Sequence, residues 1–163
     1  MAMKQTLTTI IAISVVSAAH AAGGSVERGA YLVSIMDCAG CHSGRAPDGA
    51  PDPDAYLAGG ALGFELPGLG VFWPPNLTPD VETGLGAWSD EEIVDAIRAG
   101  MRPDGRTLAP IMPWESYSVL TDSDAADLVA YLRALPPVRR ATPPPVPTGG
   151  TAGAPYFAVA MPN

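Results

Sequence analysis

The chain has two cysteines, and both lie in one short segment together with a histidine, Cys38-Ala39-Gly40-Cys41-His42. Two thiols three positions apart can add to the two vinyl groups of one porphyrin, and the imidazole of the next residue then lies under the iron. This spacing is the covalent attachment pattern of haem c. It predicts Cys38 and Cys41 as the residues that hold one haem c, and His42 as an axial ligand of its iron.

Three other chemistries use part of this pattern. A thioredoxin-like redox pair has the same cysteine spacing, but it expects a strand before the motif and a sheet around it, and the sequence shows neither. A zinc site would need four ligands, and without residues 1–21, which have the pattern of a signal peptide, the chain has no Cys or His besides Cys38, Cys41 and His42. A structural disulfide would explain the cysteines and leave the position of His42 a coincidence. The alternative that stays open is a thiol module without haem.

A haem iron with one histidine ligand needs a sixth ligand or has an open site. Methionine is the soft alternative to a second histidine. The candidates are Met36, Met101, Met112 and Met161. Met112 lies between Pro110 and Pro113, whose fixed φ angles should hold the loop extended, rigid and free of competing hydrogen bonds. We therefore predict Met112 as the distal ligand, with Met101 as the alternative.

Haem propionates require cations or N–H donors where they meet the protein. Side chains near the loops that would wrap a haem are candidate contacts: Trp73, Trp88, Arg98, Met101 and Trp114. Core packing or a solvated surface position explains the tryptophans and Arg98 equally well. Met101 follows a predicted helix end and could line the distal pocket.

The composition favours one small domain with much loop. The chain has 163 residues, of which 16% are charged, with 18 glycines and 18 prolines. Its formal net charge is −8. An acidic balance argues against a basic patch for nucleic acid and against docking on an anionic membrane.

Residues 1–21 have the pattern of a signal peptide. Lys4 precedes an apolar run that ends at Ala19, and Ala19-His20-Ala21 fits the small-x-small cleavage rule. The run is shorter than the roughly 20 residues that span a bilayer, although an uncleaved anchor remains an alternative. Cleavage after Ala21 would export the protein to the periplasm. The mature chain would then have one histidine and a formal charge one unit more negative.

Three helices are predicted from capping signals and apolar spacing. The first begins at Ser25 and runs to about Asp37, with Gly29 as a point of close approach by another element. The second follows a capping box at Ser89 and ends at Gly100. The third follows Thr121 and stops before residues 136–137.

The rest of the chain shows few periodic signals. Residues 43–86 are rich in glycine and proline, which indicates loops around a cofactor. No alternating run is long enough for a sheet, so we predict an all-α domain over residues 22–140 with about three to five helices. Residues 141–163 form a Pro/Gly-rich tail that we interpret as a linker, first semi-rigid and then flexible.

The chain resembles class I c-type cytochromes, in particular the haem domains of cytochrome subunits of periplasmic alcohol and sugar-acid dehydrogenases. The resemblance covers about residues 25–138. The segments that carry it are 38–42 (CAGCH), 76–80 (NLTPD), 82–90 (ETGLGAWSD), 97–100 (IRAG), 104–106 (DGR), 108–113 (LAPIMP) and 127–132 (DLVAYL). It implies a class I cytochrome c fold whose first and last helices cross beside the haem. Gly29 would then contact the stripe with Leu128 and Tyr131, and Met112 would be the distal ligand.

The resemblance also implies a function. Those subunits usually carry several haem domains and a membrane-binding end, whereas this chain has one attachment motif. We therefore expect a single-haem electron carrier, free or docked on a larger enzyme, and not an enzyme itself. It would pass electrons between a periplasmic dehydrogenase and a respiratory acceptor. An open iron site that serves an enzyme or a gas sensor is the alternative.

The acidic charge bears on the partners of such a carrier. Redox partners with basic docking patches are expected: a dehydrogenase, an oxidase or a membrane cytochrome. Their association rate should fall as salt rises. Neither nucleic acid nor stable membrane insertion is expected.

Overall fold

The computed structural model describes residues 24–160. The predicted signal peptide and Met161 lie outside them. The described chain has five α-helices: α1 (Val26–Ile35), α2 (Cys38–His42), α3 (Asp90–Ala99), α4 (Trp114–Tyr117) and α5 (Asp122–Ala134). Three short strands, β1 (Gly63–Leu66), β2 (Gly70–Phe72) and β3 (Tyr156–Phe157), complete it with a 3-10 turn at Pro53–Ala55. No helix within residues 24–160 combines the length and apolar character needed to cross a membrane.

The three longer helices begin and end where the capping signals predict. The hydroxyl groups of Ser25 and Thr121 each accept a hydrogen bond from a backbone N–H in the first turn of α1 and α5. Ser89 and Glu92 form the complete capping box of α3. Gly100 ends α3 with a φ of 67°, a left-handed conformation that glycine adopts without strain. These predictions are confirmed because a cap depends only on neighbouring residues.

The first and last helices cross at Gly29. A Cβ atom at this buried glycine would overlap the backbone oxygen of Asp127 and lie 2.7 Å from Cβ of Tyr131. The core on both sides of the crossing consists of Leu32, Val33, Leu57, Leu85, Ile93, Leu128, Val129 and Leu132. The expected crossing, with Gly29 as its contact point, is confirmed.

A three-stranded sheet corrects the prediction of an all-α domain. Strands β1 and β2 form an antiparallel hairpin with Phe64 opposite Phe72, and β3 pairs in parallel with β1. The strands have only four, three and two residues, too few for an alternating pattern to show. The sheet lies beside a mostly helical domain, so the class I cytochrome c fold remains the description.

The tail contacts this hairpin along both edges. The backbone N–H groups of Val71 and Val146 each donate to the other residue's oxygen, at 2.8 and 2.9 Å. On the other edge β3 joins β1, and the indole Nε1 of Trp73 donates to the Pro155 oxygen at 3.1 Å. The linker interpretation is therefore wrong for this segment. Proline removes N–H donors, but its carbonyl groups and the N–H groups between prolines can still pair with a sheet edge.

A chain that ends at Arg140 is expected to lose about 2 kcal/mol of unfolding free energy. It lacks the hydrogen bonds to Val71 and Trp73 and exposes both side chains, while the freed conformational entropy of the tail offsets part of that loss. Urea unfolding followed by circular dichroism measures the change. A chain that ends at Val159 is the control and should match the full chain. Equal midpoints for the Arg140 truncation and this control would contradict the prediction.

Candidate cofactor site

The attachment motif forms a separate short helix, α2. Asp37 adopts a left-handed conformation with a φ of 53°. The chain changes direction at this residue, between the end of α1 and the start of α2. Cys38 and Cys41 are three residues apart on α2 and therefore share one face. A Cβ atom at Gly40 would overlap the Asp37 carboxylate, so a larger residue at this position would have to displace that side chain. Both thiols are free, and that of Cys41 is exposed.

His42 is the buried end of the motif, with 7% of its surface exposed. Its Nδ1 lies 2.8 Å from the carbonyl oxygen of Pro75. Because a carbonyl only accepts hydrogen bonds, Nδ1 carries the proton and the lone pair of Nε2 is available to a metal. Burial lowers the pKa of His42 and keeps the ring neutral. A neutral imidazole held through its second nitrogen is the form that binds iron.

The two thiols do not resemble a redox pair. Burial raises the pKa of Cys38 to about 11, and burial followed by the charge of Asp37 raises that of Cys41. Catalytic redox cysteines have lowered pKa values, and a helix rather than a strand precedes the motif here. Nor do residues 24–160 contain a group of three or more His, Cys, Asp or Glu side chains that could hold a metal ion. The geometry therefore favours neither a thioredoxin-like site nor zinc.

The loop with Met112 is tethered to the region of the motif. Helix α4 begins two residues after Met112, and Oη of Tyr117 on this helix donates to the oxygen of Met36 at 3.2 Å. Burial raises the pKa of Tyr117, and nearby Cys38 adds to the shift. The sequence alone gives no signal for this tyrosine, because the contact joins segments 81 residues apart.

The conformation of the Met112 loop differs from the extended one we expected. The N–H of Met112 donates to the oxygen of Ala109 at 3.0 Å, and the N–H of Trp114 donates to the oxygen of Met112 at 2.8 Å. Hydrogen-bonded turns, rather than an extended segment between prolines, thus hold this half-buried methionine. Met101, the alternative ligand, is 44% exposed and pairs with Thr107 in a short bridge.

Three of the candidate propionate contacts have partners within the chain. The indole N–H of Trp73 binds the Pro155 oxygen. Arg98 forms an ion pair with Asp122 at 2.6 Å, between α3 and the start of α5. The ring of Trp88 packs against the core and has the Arg102 guanidinium 5.0 Å from its centroid. Each of the three thus has contacts within the chain, and a haem contact for any of them stays a prediction.

Trp114 differs from the other candidates. Its Nε1 is the one buried side-chain nitrogen or oxygen in residues 24–160 without a hydrogen-bond partner. Together with two free thiols on one helix face and a neutral imidazole with an available Nε2, this unpartnered donor fits a haem with carboxylates at its edge. The profile of the family described as Cytochrome c matches residues 26–136. The chain belongs to the cytochrome c family. Membership implies covalently bound haem c and confirms the resemblance seen in the sequence.

The curated relatives of this cytochrome are longer proteins that it matches over part of their length. It is 39% identical over 117 residues to the gluconate 2-dehydrogenase cytochrome c subunit of Pantoea cypripedii, covering 71% of this chain and 24% of the relative. The fructose dehydrogenase cytochrome subunit of Gluconobacter japonicus is 39% identical over 108 residues, which are 66% of this chain and 21% of the relative. A diheme cytochrome c-type protein of Cereibacter sphaeroides is 35% identical over 74% of this chain and 40% of the relative. The chain thus spans less than half the length of each.

The residue after Pro75, Asn76, is buried and helps to hold the loop that orients His42 in this cytochrome. Asn76 is 1% exposed. Its Nδ2 donates to the oxygen of Val138 at 2.7 Å, and its Oδ1 accepts from the backbone N–H and the hydroxyl of Thr78 at 2.9 and 2.8 Å. These bonds fix the loop whose Pro75 oxygen orients His42. Asn76 lies in one of the segments that carry the family resemblance, but the sequence alone does not reveal this role.

Proposed function

We propose that this protein is a periplasmic one-electron carrier with a single haem c, held by Cys38 and Cys41 and ligated by His42 and Met112. The observation that carries the proposal is the state of His42. Its ring is buried and neutral, and the Pro75 oxygen holds Nδ1 so that Nε2 is available to the iron. The two free thiols on the same short helix would attach the porphyrin next to it.

The haem would supply an iron that cycles between its ferrous and ferric states. The residues of the chain would set the conditions for that cycle. A histidine and a methionine together fill both axial positions, leave no site for a substrate and raise the reduction potential. The hydrogen-bonded turns around Met112 support its role, because a weak thioether ligand needs a loop that is already ordered.

The partners follow from the relatives and the charge. Two of the relatives are named as cytochrome subunits of dehydrogenases, which supports a dehydrogenase as the electron donor. An oxidase or a membrane cytochrome would be the acceptor. The formal net charge of −8 favours partners with basic docking patches. We propose the periplasm as the compartment because the predicted signal peptide directs export.

Replacing Met112 with alanine is the test of this function. The oxidised full-length protein should show the weak long-wavelength absorption band of an iron–thioether bond, and Met112→Ala should abolish it. Axial ligands tune haem potentials over about 0.8 V, so the reduction potential of the variant should fall by more than about 100 mV. Absorption spectra and a redox titration measure both effects.

Met101→Ala is the matched control and should keep the band and the potential. If the band disappears in Met101→Ala and persists in Met112→Ala, Met101 is the ligand instead. A wild-type protein without the band would have an open iron site, and the electron-carrier proposal would give way to an enzyme or a gas sensor. A colourless protein on a denaturing gel stained for covalent haem would refute the haem proposal altogether.

A further inference from the structure

The tail holds two aromatic side chains on the surface of the sheet. Its strand β3 pairs with β1, and the oxygen of Pro155 accepts hydrogen bonds from the N–H of Gly63 and the indole of Trp73 at 3.0 and 3.1 Å. Yet Tyr156 and Phe157 on this strand are 42% and 59% exposed. The segment is therefore fixed on the protein without hiding its apolar side chains.

An open cleft of about 620 Å³ lies where this strand, the hairpin and α2 meet. Residues from all three parts line it: Gly40, Cys41, Leu62, Phe64, Pro155 and Phe157. These six residues form a mainly apolar surface, the tail face. The ring centroids of Phe64 and Phe157 are 5.9 Å apart, so the tail and the hairpin contribute to one continuous patch. Exposed apolar patches mark interaction sites, and aromatic residues are enriched at the centres of protein interfaces.

The tail face is almost free of charge on a protein that is strongly acidic. Residues 141–163 contain no Asp, Glu, Lys or Arg, although the formal net charge is −8. Among the residues of the described chain that line the cleft, Arg45 is the one with a charge. Two exposed carboxylates lie at its margin, since Asp48 joins lining residues 47 and 49 and Asp37 lies against Gly40. The face thus has an apolar centre and an acidic margin.

Cys41 connects this face to the proposed function, because its exposed thiol would carry the cofactor. Electron transfer slows steeply with distance, so a redox partner must bind where the cofactor lies close to the surface. A partner on the tail face would lie against one of the two residues that hold the haem.

We infer, on the basis of the proposed function, that the tail face is the docking surface for a redox protein with an apolar centre and a basic margin. Apolar contact with Phe157 and Leu62 would hold the partner at short range, and the carboxylates of Asp37 and Asp48 would attract its cations. A patch of this size suits the small interface of a transient electron-transfer complex. The tail is then part of the partner-binding surface as well as a support for the hairpin.

Electron transfer to a copper protein tests the apolar centre. The probe is azurin, a blue-copper protein whose copper lies under an uncharged apolar patch. Stopped-flow absorption follows the loss of its blue colour as the reduced, haem-loaded cytochrome gives up its electron. Phe157→Glu places a carboxylate on the face, where docking would remove it from water. We expect the second-order rate constant to fall about tenfold or more, while the reduction potential stays unchanged.

Val119→Glu is the matched control, because it adds the same charge at a valine that is 83% exposed and lies outside the tail face. Its rate constant should stay within about twofold of the wild-type value. Leu62→Glu tests the hairpin side of the cleft without a change in the tail, and it should slow electron transfer as Phe157→Glu does. The inference is overturned if either variant on the face reacts as fast as the control.

Titration with a basic redox protein tests the acidic margin. The probe is mitochondrial cytochrome c, which has lysines around its exposed cofactor edge, added to the nitrogen-15-labelled, haem-loaded protein. Chemical shifts should change mainly at the residues of the tail face, and binding should weaken as salt rises. The double variant Asp37→Asn, Asp48→Asn should bind about threefold more weakly at low salt, and its rate with azurin should not change. Unchanged affinity, or shifts confined to another face, would contradict the inference.

The same samples separate this inference from the proposed function. If the wild-type protein lacks covalent haem or the iron–thioether band, the proposed function fails before docking is measured. If the wild-type protein reduces azurin and Phe157→Glu does so at the same rate, only the inference fails.

Discussion

Gly29→Ala is expected to destabilise the protein by about 3 kcal/mol or more. In an exposed helix interior the same change stabilises by about 0.5–1 kcal/mol, because glycine is the poorer helix former. Here the new methyl group would overlap the backbone oxygen of Asp127 and crowd Cβ of Tyr131. Overpacking typically costs about 1–3 kcal/mol, and the upper end applies because backbone atoms cannot move aside as a flexible side chain can.

Urea unfolding of the haem-loaded protein measures this difference in stability. Gly153→Ala is the matched control, since no atom lies within 4 Å of the added methyl group at that position. The control should differ from wild type by less than about 0.5 kcal/mol, as expected for a surface substitution. A stabilised Gly29→Ala variant would mean that α1 and α5 do not meet at this residue, and it would contradict the crossing on which the fold depends.

Local signals in the sequence predicted the parts of the fold that depend on neighbouring residues. Ser25, Ser89 and Thr121 cap their helices because a cap involves a hydroxyl and N–H groups two or three residues away. The sheet was missed because β3 joins β1 from the far end of the chain. A two-residue strand that follows a proline has no pattern of its own, so only the folded chain reveals its partner.

The candidate site likewise has parts that neighbouring residues predict and parts that depend on distant segments. The attachment motif could be predicted from the sequence, because its two cysteines and its histidine lie within five residues. The contacts of the tryptophans could not be predicted, because they involve distant segments. The tail supplies the acceptor for Trp73, and Gly100 packs against Trp114. Pro110 and Pro113 predicted an extended Met112 loop, whereas the hydrogen-bonded turns found there depend on which backbone groups meet after folding.

Asn76→Leu is expected to cost about 3 kcal/mol of unfolding free energy. Leucine has a similar size, so the change removes hydrogen bonds with little change in volume. The N–H and hydroxyl of Thr78 and the oxygen of Val138 would lose partners that Asn76 supplies. The hydroxyl of Thr83 would lose the bond from Nδ2 but would keep those with the N–H of Arg140 at 3.0 Å and the carboxylate of Asp80 at 2.7 Å. The backbone N–H of Thr78 would keep no other partner, whereas the Val138 oxygen would keep the Thr78 hydroxyl at 3.3 Å. One unsatisfied buried group costs about 1–3 kcal/mol, and the hydrogen bonds lost by the other groups add to this cost.

Thr78→Ser is the matched control, because it keeps the hydroxyl that bonds to Asn76 and removes only a buried methyl group. Its cost should be about 1 kcal/mol. The two variants should also differ at the iron. Release of the loop after Pro75 loosens the carbonyl that orients His42, so Asn76→Leu should let added imidazole or cyanide displace the axial ligands at lower concentration than in wild type. If Asn76→Leu unfolds at the same urea concentration as Thr78→Ser, the buried asparagine does not hold this loop, and His42 must owe its orientation to packing alone.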